Sequence, residues 1–377
     1  MTSHDYVRVG IVSSAQTVLK DAWDDLQHVD LISEAVSEAL RGTGLAMSDV
    51  DFVINSGSDV LDGRSISNCG FLGAMGAHHK EESRVEEDGL WSLNYAHDKI
   101  ASGAARVGVV VAYSKPSESS LAAYYSALVE PFYQRPVGLD HVSAHGLQAG
   151  QYLAVHGVDE KELSAVAAHA WERAAANTSV ETPRVPSIDE IAASDSVATP
   201  LRALHLSRPL DGAVAVVVAS EQVARRTSPA PVWISGCGSS IDSQVLAERE
   251  PGSFPAAKAA AQRAYARAGV TDPRAFDLAE VSAGSAAAEL MVVEALGLAG
   301  PGQGISAYST DAPTALNPSG GALPADVVMA TGLIRLHEAA GQLAGRIDRG
   351  AGSASSALVH GAGGLAHQNH CVFTLEV

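Results

Sequence analysis

The stretch SRVEEDGLWSLNYAHDKIASGAARVGVVVAYSK, residues 83–115, joins a helical pattern directly to a strand pattern. Apolar residues recur at helical spacing over residues 90–100, and Ser102 with Gly103 supplies a helix stop. The apolar run over residues 106–113 predicts a strand that is buried on both faces. A helix that leads straight into such a strand is typical of α/β proteins.

The same order of elements occurs a second time in the chain. The segments YVRVGIVSS (residues 6–14) and PVWISGCGSS (residues 231–240) both resemble short strands that run into small residues. Each precedes an alanine-rich helical pattern that stops at glycine, and then a strand that opens with Asp51 or Asp277. Because the offset between the copies is nearly constant, we predict two duplicated α/β halves that form a layered α-β-α-β-α core.

The repeat also sets the expected domain limits. Each half closes on a further apolar strand, so residues 1–115 and 209–230 form the N-terminal half and residues 231–377 form the C-terminal half. Residues 116–208 interrupt the first half with helical and Pro/Ser-rich segments. An inserted segment of that length is usually functional, so we expect residues 116–208 to cover a ligand site.

Charge and cysteine content exclude several classes of function. With 43 acidic and 25 basic residues the formal net charge is -18, which disfavours nucleic acid and anionic membrane as partners. No apolar run reaches the roughly 18 residues that a membrane span needs. The three cysteines are widely spaced and form no metal-binding motif, so we expect free thiols, no metal and a cytoplasmic location.

Four longer segments resemble a known family. They are SRPLDGAVAVVVAS (207–220), DLAEVSAGSAAAELMVVEALGL (277–298), NPSGGALPADVVMATGLIRLHEAAGQLAG (317–345) and ALVHGAGGLAHQNHCVFTLE (357–376). These segments are similar to the closing motifs of sterol-carrier-protein-type thiolases, which include nonspecific lipid-transfer proteins and proteins named acetyl-CoA acetyltransferases. The resemblance implies the thiolase fold, an acyl-CoA-type thioester as ligand or substrate without any further cofactor, and a dimer or larger assembly.

The resemblance also implies where catalytic groups would lie, and the sequence departs from the family at several of those places. Glu86 takes the place of the nucleophilic cysteine, and a carboxylate there would form an anhydride rather than a thioester. Asp326 lies where a histidine of the oxyanion hole is expected, and Ser282 lies in a turn that would carry a histidine or a tyrosine. His360, followed by a glycine run that includes Gly363, keeps the place of the general base.

Four further residues are candidates for ligand binding by the same resemblance. Asn317, Gly320 and Gly321 belong to the NPSGG motif, and His145 lies on the inserted segment, where this fold contacts CoA or the acyl chain. The NPSGG motif lacks the lysine of a P-loop, so we do not expect it to bind a nucleotide phosphate in that way.

Two functions of different classes remain open. In the first, the chain is a thiolase-like subunit without the cysteine, paired with a sister thiolase-like chain or a small OB-fold protein. In the second, it is an enzyme that acts on an acyl-CoA without a covalent cysteine intermediate, either a carbon–carbon lyase (retro-aldolase) or an acyltransferase. In that case His360 would be the base, with Glu86 or Asp326 as its partner.

Overall fold

The computed structural model describes residues 6–182 and 184–377 as twelve strands and ten α-helices. The strands are β1 (Val9–Gln16), β2 (Phe52–Ser56), β3 (Glu81–Val85), β4 (Val107–Ser114), β5 (Ser196–Ala198), β6 (Leu201–Arg202), β7 (Gly212–Ser220), β8 (Val232–Ile241), β9 (Leu278–Val281), β10 (Ala315–Leu316), β11 (Ser356–Gly363) and β12 (Asn369–Glu376). The helices are α1 (His28–Leu40), α2 (Gly89–Ala101), α3 (Leu121–Leu128), α4 (His141–His156), α5 (Glu160–Ala174), α6 (Ile188–Ala193), α7 (Glu221–Thr227), α8 (Pro255–Ala268), α9 (Ala286–Ala295) and α10 (Thr331–Leu343).

Ten of the strands form one sheet whose order shows the internal repeat. The order is β10-β9-β11-β12-β8-β1-β7-β4-β2-β3. Read outward from the centre, β1-β7-β4-β2-β3 and β8-β12-β11-β9-β10 correspond strand for strand. The two halves meet where β1 pairs antiparallel with β8, through Gly10 opposite Trp233 and Ile11 opposite Val232. The predicted duplication is therefore confirmed.

Helices cover both faces of each half. Helix α1 packs on β1, β4 and β7, whereas α8 packs on β8 and β12. Helices α2 and α10 contact each other and strands of both halves, so they form the central helical layer. All thirteen residues of α10 are buried, which is the burial expected for a helix that packs against both halves of the sheet. The layered α/β architecture with two duplicated halves that the sequence predicts is present.

The central layer is closely packed where α2 begins. A side chain at Gly89 would place its Cβ 2.6 Å from Leu333 Cβ and 2.9 Å from Ala112 Cβ. Only glycine therefore allows the first turn of α2 to approach both α10 and β4 this closely. The contact fixes the position of the α2 N-terminus, around which the candidate site is built.

The structure differs from the expected elements in detail. The predicted helix over residues 90–100 and the predicted strand over 106–113 are α2 and β4, with ends displaced by one residue. The segment before α2 contains the strand β3, which pairs parallel with β2 and which the sequence pattern did not predict. Residues 116–208 contain α3 to α6 and the β5–β6 hairpin. Among the described residues, none of the helices combines the length and apolar character needed to cross a bilayer.

Candidate functional site

A small cavity lies where the N-termini of α2 and α10 approach each other. This inner cavity has a volume of about 50 Å³ and continues into an outer cavity of about 270 Å³. The polar groups that line the inner cavity are Asp88, Tyr124, Tyr125, His141, Ser282, Asp326, Thr331 and His367. Apolar side chains, including Leu121, Val142 and Leu206, line much of the outer cavity. The two cavities together offer a polar end and an apolar passage.

Asp88 is the most deeply buried carboxylate of the inner cavity, with 3% of its surface exposed. It is the N-cap of α2, and its Oδ1 accepts a hydrogen bond from the backbone N–H of Leu90 at 3.0 Å. Its Oδ2 accepts from the backbone N–H of Gly332, in the first turn of α10, at 2.8 Å. One carboxylate thus caps α2 and bonds to the start of α10.

Burial perturbs the pKa of this group strongly. Loss of solvation raises the pKa of Asp88 to about 7, against the opposing effect of the two backbone N–H groups. The negative charges of Glu87 and Asp326 contribute in the same direction as burial. Asp88 can therefore exchange a proton near neutral pH, which is a property of functional carboxylates.

Asp326 lies at the junction of the two cavities and lines both. Its Oδ2 accepts a hydrogen bond from Ser207 Oγ at 2.7 Å, and its Oδ1 accepts from Thr331 Oγ1 at 2.6 Å. Its backbone forms bonds with Arg208 and Leu210, so the carboxylate is held in place from both sides. Burial raises its pKa above the usual aspartate value.

A series of aromatic rings forms one wall. Tyr125 stacks on His141 with ring centroids 3.6 Å apart, and His141 lies edge-on to His145 at 4.5 Å. His145 is 5.1 Å from His367, whose Nε2 accepts a hydrogen bond from the backbone N–H of Gly284 at 2.6 Å. Burial lowers the pKa of His141 to about 4 and holds those of His145 and His367 well below the usual histidine value. These imidazoles are neutral at physiological pH.

Besides Asp326, the predicted residues Ser282 and Gly363 line the inner cavity. The backbone N–H of Ser282 donates to the carbonyl of His360, but its buried Oγ has no hydrogen-bond partner in the part of the chain that the structure describes. Gly363 leaves room for the carboxylate of Glu87, which accepts from Asn369 Nδ2. Burial raises the pKa of Glu87, so a third acidic group with raised pKa, after Asp88 and Asp326, lies behind the cavity wall.

Glu86, which the sequence analysis put in the place of the cysteine, does not face the cavity. About half of its side chain is exposed (52%), and it pairs with Arg84 at 3.2 Å and accepts from the N–H of Asp59 at 3.1 Å. The helix starts at Gly89, so the capping residue Asp88 is the one whose carboxylate enters the space between the two helices. The structure brings Asp88 to the cavity in place of Glu86.

His360 is fully buried in β11 and is not among the lining residues of the inner or outer cavity. Its Nε2 lies 3.0 Å from Nδ1 of His370, and its Nδ1 has no partner among the described residues. Burial lowers its pKa to about 3. It therefore lies behind the cavity as a neutral imidazole, in contact with a second histidine.

The predicted ligand-binding residues of the NPSGG motif lie in the supporting structure. Asn317, with a φ of 45°, accepts from the N–H of Val281 at 2.7 Å and donates to Glu289 at 3.0 Å. Gly320 and Gly321 both have positive φ values, 102° and 70°, in the turn that follows. None of the three lines the inner or outer cavity; Asn317 instead links the end of β9 to α9.

Three potential metal ligands lie together elsewhere, although no sequence motif indicated them. His97, Asp98 and Cys237 place ligand atoms within 4.8 Å of one another. The guanidinium of Arg267 lies 3.0 Å from the Cys237 sulfur, where it would oppose a bound cation, and burial raises the pKa of the thiol. This arrangement is better suited to hydrogen bonding than to metal binding.

Comparison with known proteins accounts for this architecture. Residues 238–375 match the family described as "Thiolase C-terminal domain-like". The acetyl-CoA acetyltransferase of Methanocaldococcus jannaschii is 28% identical over 352 residues, which cover 89% of each chain. The chain belongs to the thiolase superfamily.

Within the thiolase superfamily, the sterol-carrier-protein type predicted from the sequence is confirmed. Human sterol carrier protein 2 is 25% identical over 384 residues, which cover 94% of this chain and 70% of that protein. The solved structure of an Ltp2–ChsH2(DUF35) aldolase superposes with a TM-score of 0.84 at 22% identity and covers 98% of both chains. At that identity the likeness to the aldolase concerns the fold.

Sequence reasoning missed several cavity residues of this thiolase-superfamily chain. Tyr124 and Tyr125 come from α3 in the inserted segment, where no periodic pattern points inward. His367 follows β11 in a loop with positive φ. Asp88 could have been predicted as the N-cap of the helix, because an aspartate immediately before a Gly-Leu helix start is typical of that position.

Proposed function

We propose that this chain is a thiolase-like protein that binds an acyl-CoA-type thioester and lacks covalent cysteine chemistry. We further propose that it acts as a subunit of a thiolase-like or aldolase complex in lipid or acyl-CoA metabolism. The observation that carries the proposal is the absence of a thiol among the described residues that line the cavity, where a carboxylate, Asp88, lies at the start of α2.

The positions of the three cysteines support the loss of thiolase chemistry. Cys69 is exposed and outside the cavity lining, whereas Cys237 and Cys371 are buried. Cys371 comes nearest to the α2 N-terminus, where its sulfur lies 3.7 Å from the carbonyl of Leu90. Burial raises the pKa of Cys371 well above its usual range, which disfavours the thiolate that attacks a thioester.

The shape of the site supports binding of an acyl group. The outer cavity has mainly apolar walls from α3, α4 and the segment before β7, and it opens toward the polar inner cavity. Most of the outer wall comes from residues 116–208, which agrees with the proposed role of that segment as a cover between the two proposed halves. In this arrangement Asp326 and Ser282 would contact the reacting end of the ligand, while His145 would support the wall behind it.

A partner chain is part of the proposal. A similar chain occurs with a DUF35 protein in the Ltp2–ChsH2(DUF35) aldolase. We propose a homodimer or a heteromer with a sister thiolase-like chain, with a small OB-fold protein as a further partner, in the cytoplasm. The missing chemistry would then be completed by the partner.

A retro-aldolase is the second candidate, because Asp326 could serve as its base; the enolate that forms would have to be stabilised by groups outside the described lining, such as those of a partner chain. Cleavage of a β-hydroxyacyl thioester needs a base that takes the hydroxyl proton. Asp326 already accepts hydrogen bonds from two hydroxyl groups, so it is placed for that task. His360 as base would need access to the cavity, which the described structure does not provide.

Binding and turnover measured separately test the proposal. The purified chain should bind acetyl-CoA in a calorimetric titration, yet show no thiolysis of acetoacetyl-CoA. Ser282→Trp, which fills the inner cavity, should abolish binding, whereas the exposed-site variant Asp159→Asn should bind as the wild type does. Absence of acetyl-CoA binding would contradict the proposal, and β-hydroxyacyl-CoA cleavage by the isolated chain would establish the second candidate.

A further inference from the structure

The inner cavity has an unusual balance of charge for a site that would stabilise an enolate. Two carboxylates, Asp88 and Asp326, line it, and none of the described lining residues is a lysine or an arginine. Its imidazoles are neutral, as described above. An oxyanion is stabilised by donors and positive charge, so this lining would oppose one.

Two further polar groups of the lining have unused hydrogen-bonding capacity. Ser282 is 98% buried, given its 2% exposure, and its Oγ has no partner among the described residues. His141 Nδ1 is likewise buried without a partner. A buried polar atom without a partner is costly, and a ligand that donates a hydrogen bond would relieve that cost.

Aromatic rings complete the surroundings. Tyr124 and Tyr125 are arranged edge to face with centroids 5.0 Å apart, and Tyr125 stacks on His141, which covers one face of Tyr125. These rings give the inner cavity its shape, and its preference for a ligand group rests on the two carboxylates and the polar atoms without partners.

We propose that the inner cavity binds a hydrogen-bond-donating group at the acyl end of the ligand, a protonated amine in the strongest case and a hydroxyl in the weaker. Asp326 is the principal charge partner because it lines both cavities, and Ser282 adds a neutral acceptor. For the thioester part of the ligand, this inference rests on the proposed function. The preference of the inner cavity itself can be measured without CoA.

Three probes of matched length test the inference: n-butylamine, n-butanol and butyrate. Each is titrated calorimetrically into the full chain at about pH 8, in a buffer with enough salt to screen the surface charge of this acidic protein. We expect the amine to bind at least about tenfold more tightly than butyrate, with butanol between them. The amine should also compete with acetyl-CoA if the two ligands share the site.

Variants assign the preference to the cavity. Asp326→Asn keeps an oxygen acceptor for Ser207 or Thr331 and should reduce the preference for amine over butyrate to less than about twofold. Asp159→Asn removes one exposed carboxylate that also caps a helix and should leave the preference unchanged. If Asp326→Asn fails to fold, Ser282→Ala, which keeps the charge, should weaken amine binding by a few fold, on the order of one neutral hydrogen bond.

The outcomes separate this inference from the proposed function. Equal or tighter binding of butyrate, or binding of none of the three probes, overturns the inference even where acetyl-CoA still binds. Loss of the amine preference in Asp159→Asn also overturns it, because the preference would then reflect surface charge. Amine preference without acetyl-CoA binding supports the inference and contradicts the proposed thioester ligand.

Discussion

Replacement of Asp88 by Asn should change the way in which stability depends on pH. Asparagine keeps the shape of the side chain and one oxygen acceptor for the N-terminus of α2, but it cannot ionise. The comparison therefore isolates the cost of keeping a charged carboxylate between two helices in the centre of the molecule. The measured quantity is the difference in free energy of unfolding between the variant and the wild type at several pH values.

The magnitude follows from the pKa of the buried carboxyl. In the folded chain it is raised from 3.8 to about 7. A carboxyl with a raised pKa binds its proton more tightly in the folded chain than in the unfolded chain. Its contribution to the free energy of unfolding is therefore complete below the unfolded pKa and is lost as pH rises through about 7. A measurement that starts at about pH 5 covers about two of the pH units over which this loss occurs, and each unit corresponds to about 1.4 kcal/mol. The wild type should therefore lose about 3 kcal/mol relative to Asp88→Asn between about pH 5 and pH 9.

Urea unfolding followed by tryptophan fluorescence at about pH 5, 7 and 9 measures this difference. Asp159→Asn is the matched control, because Asp159 also caps a helix through its side chain but is exposed to solvent. Its difference from the wild type should stay constant over the same range. A pH-independent difference for Asp88→Asn would refute the view that Asp88 is a buried carboxyl with a raised pKa.

Three further experiments test the packing of the core and the accessibility of the thiols. Gly332→Ala should prevent folding or cost more than about 3 kcal/mol, because its Cβ would lie 2.9 Å from the Cα of Gly361. Gly150→Ala is the control, because its Cβ would meet only Pro200 Cδ at an ordinary contact distance of 3.8 Å, and it should change the midpoint of thermal unfolding little. Asn317→Ala should lower the free energy of unfolding by about 2–4 kcal/mol, because it leaves the buried Glu289 with one donor fewer; a wild-type urea midpoint would contradict this. Iodoacetamide should label Cys69 alone in the native chain, as peptide mass spectrometry can show, and rapid labelling of either buried thiol would contradict the described burial.

The fold was predictable because its signals are repeated and strongly apolar. Strands such as β4 and β7 are buried along their whole length, so their sequences are continuous apolar runs. The edge strand β3 was not predicted, since its sequence EESRV is partly exposed and mostly polar. Its pairing depends on the neighbouring strand β2, which local sequence does not reveal.

The sequence indicated the part of the chain in which the candidate site lies, but it did not indicate which side chains enter the cavity. The sequence analysis placed a candidate residue, Glu86, before α2, but three acidic residues follow one another there, and only the start of the helix decides that Asp88 faces inward. Tyr125 and His141 reach the cavity through tertiary packing of the inserted segment, which has no sequence period that marks it. His360 was singled out by its glycine-rich surroundings, but its neighbour His370, on the paired strand, could be assigned only from the register of β11 and β12.

Intact-mass measurement after incubation with acetoacetyl-CoA tests the absence of cysteine chemistry most directly. A thiolase with a working cysteine forms an acyl-enzyme, which adds the mass of an acetyl group to the chain. We predict an unmodified mass and no acetyl-CoA production, because no thiol lines the described cavity. An acetylated cysteine, together with turnover that iodoacetamide abolishes, would contradict the account.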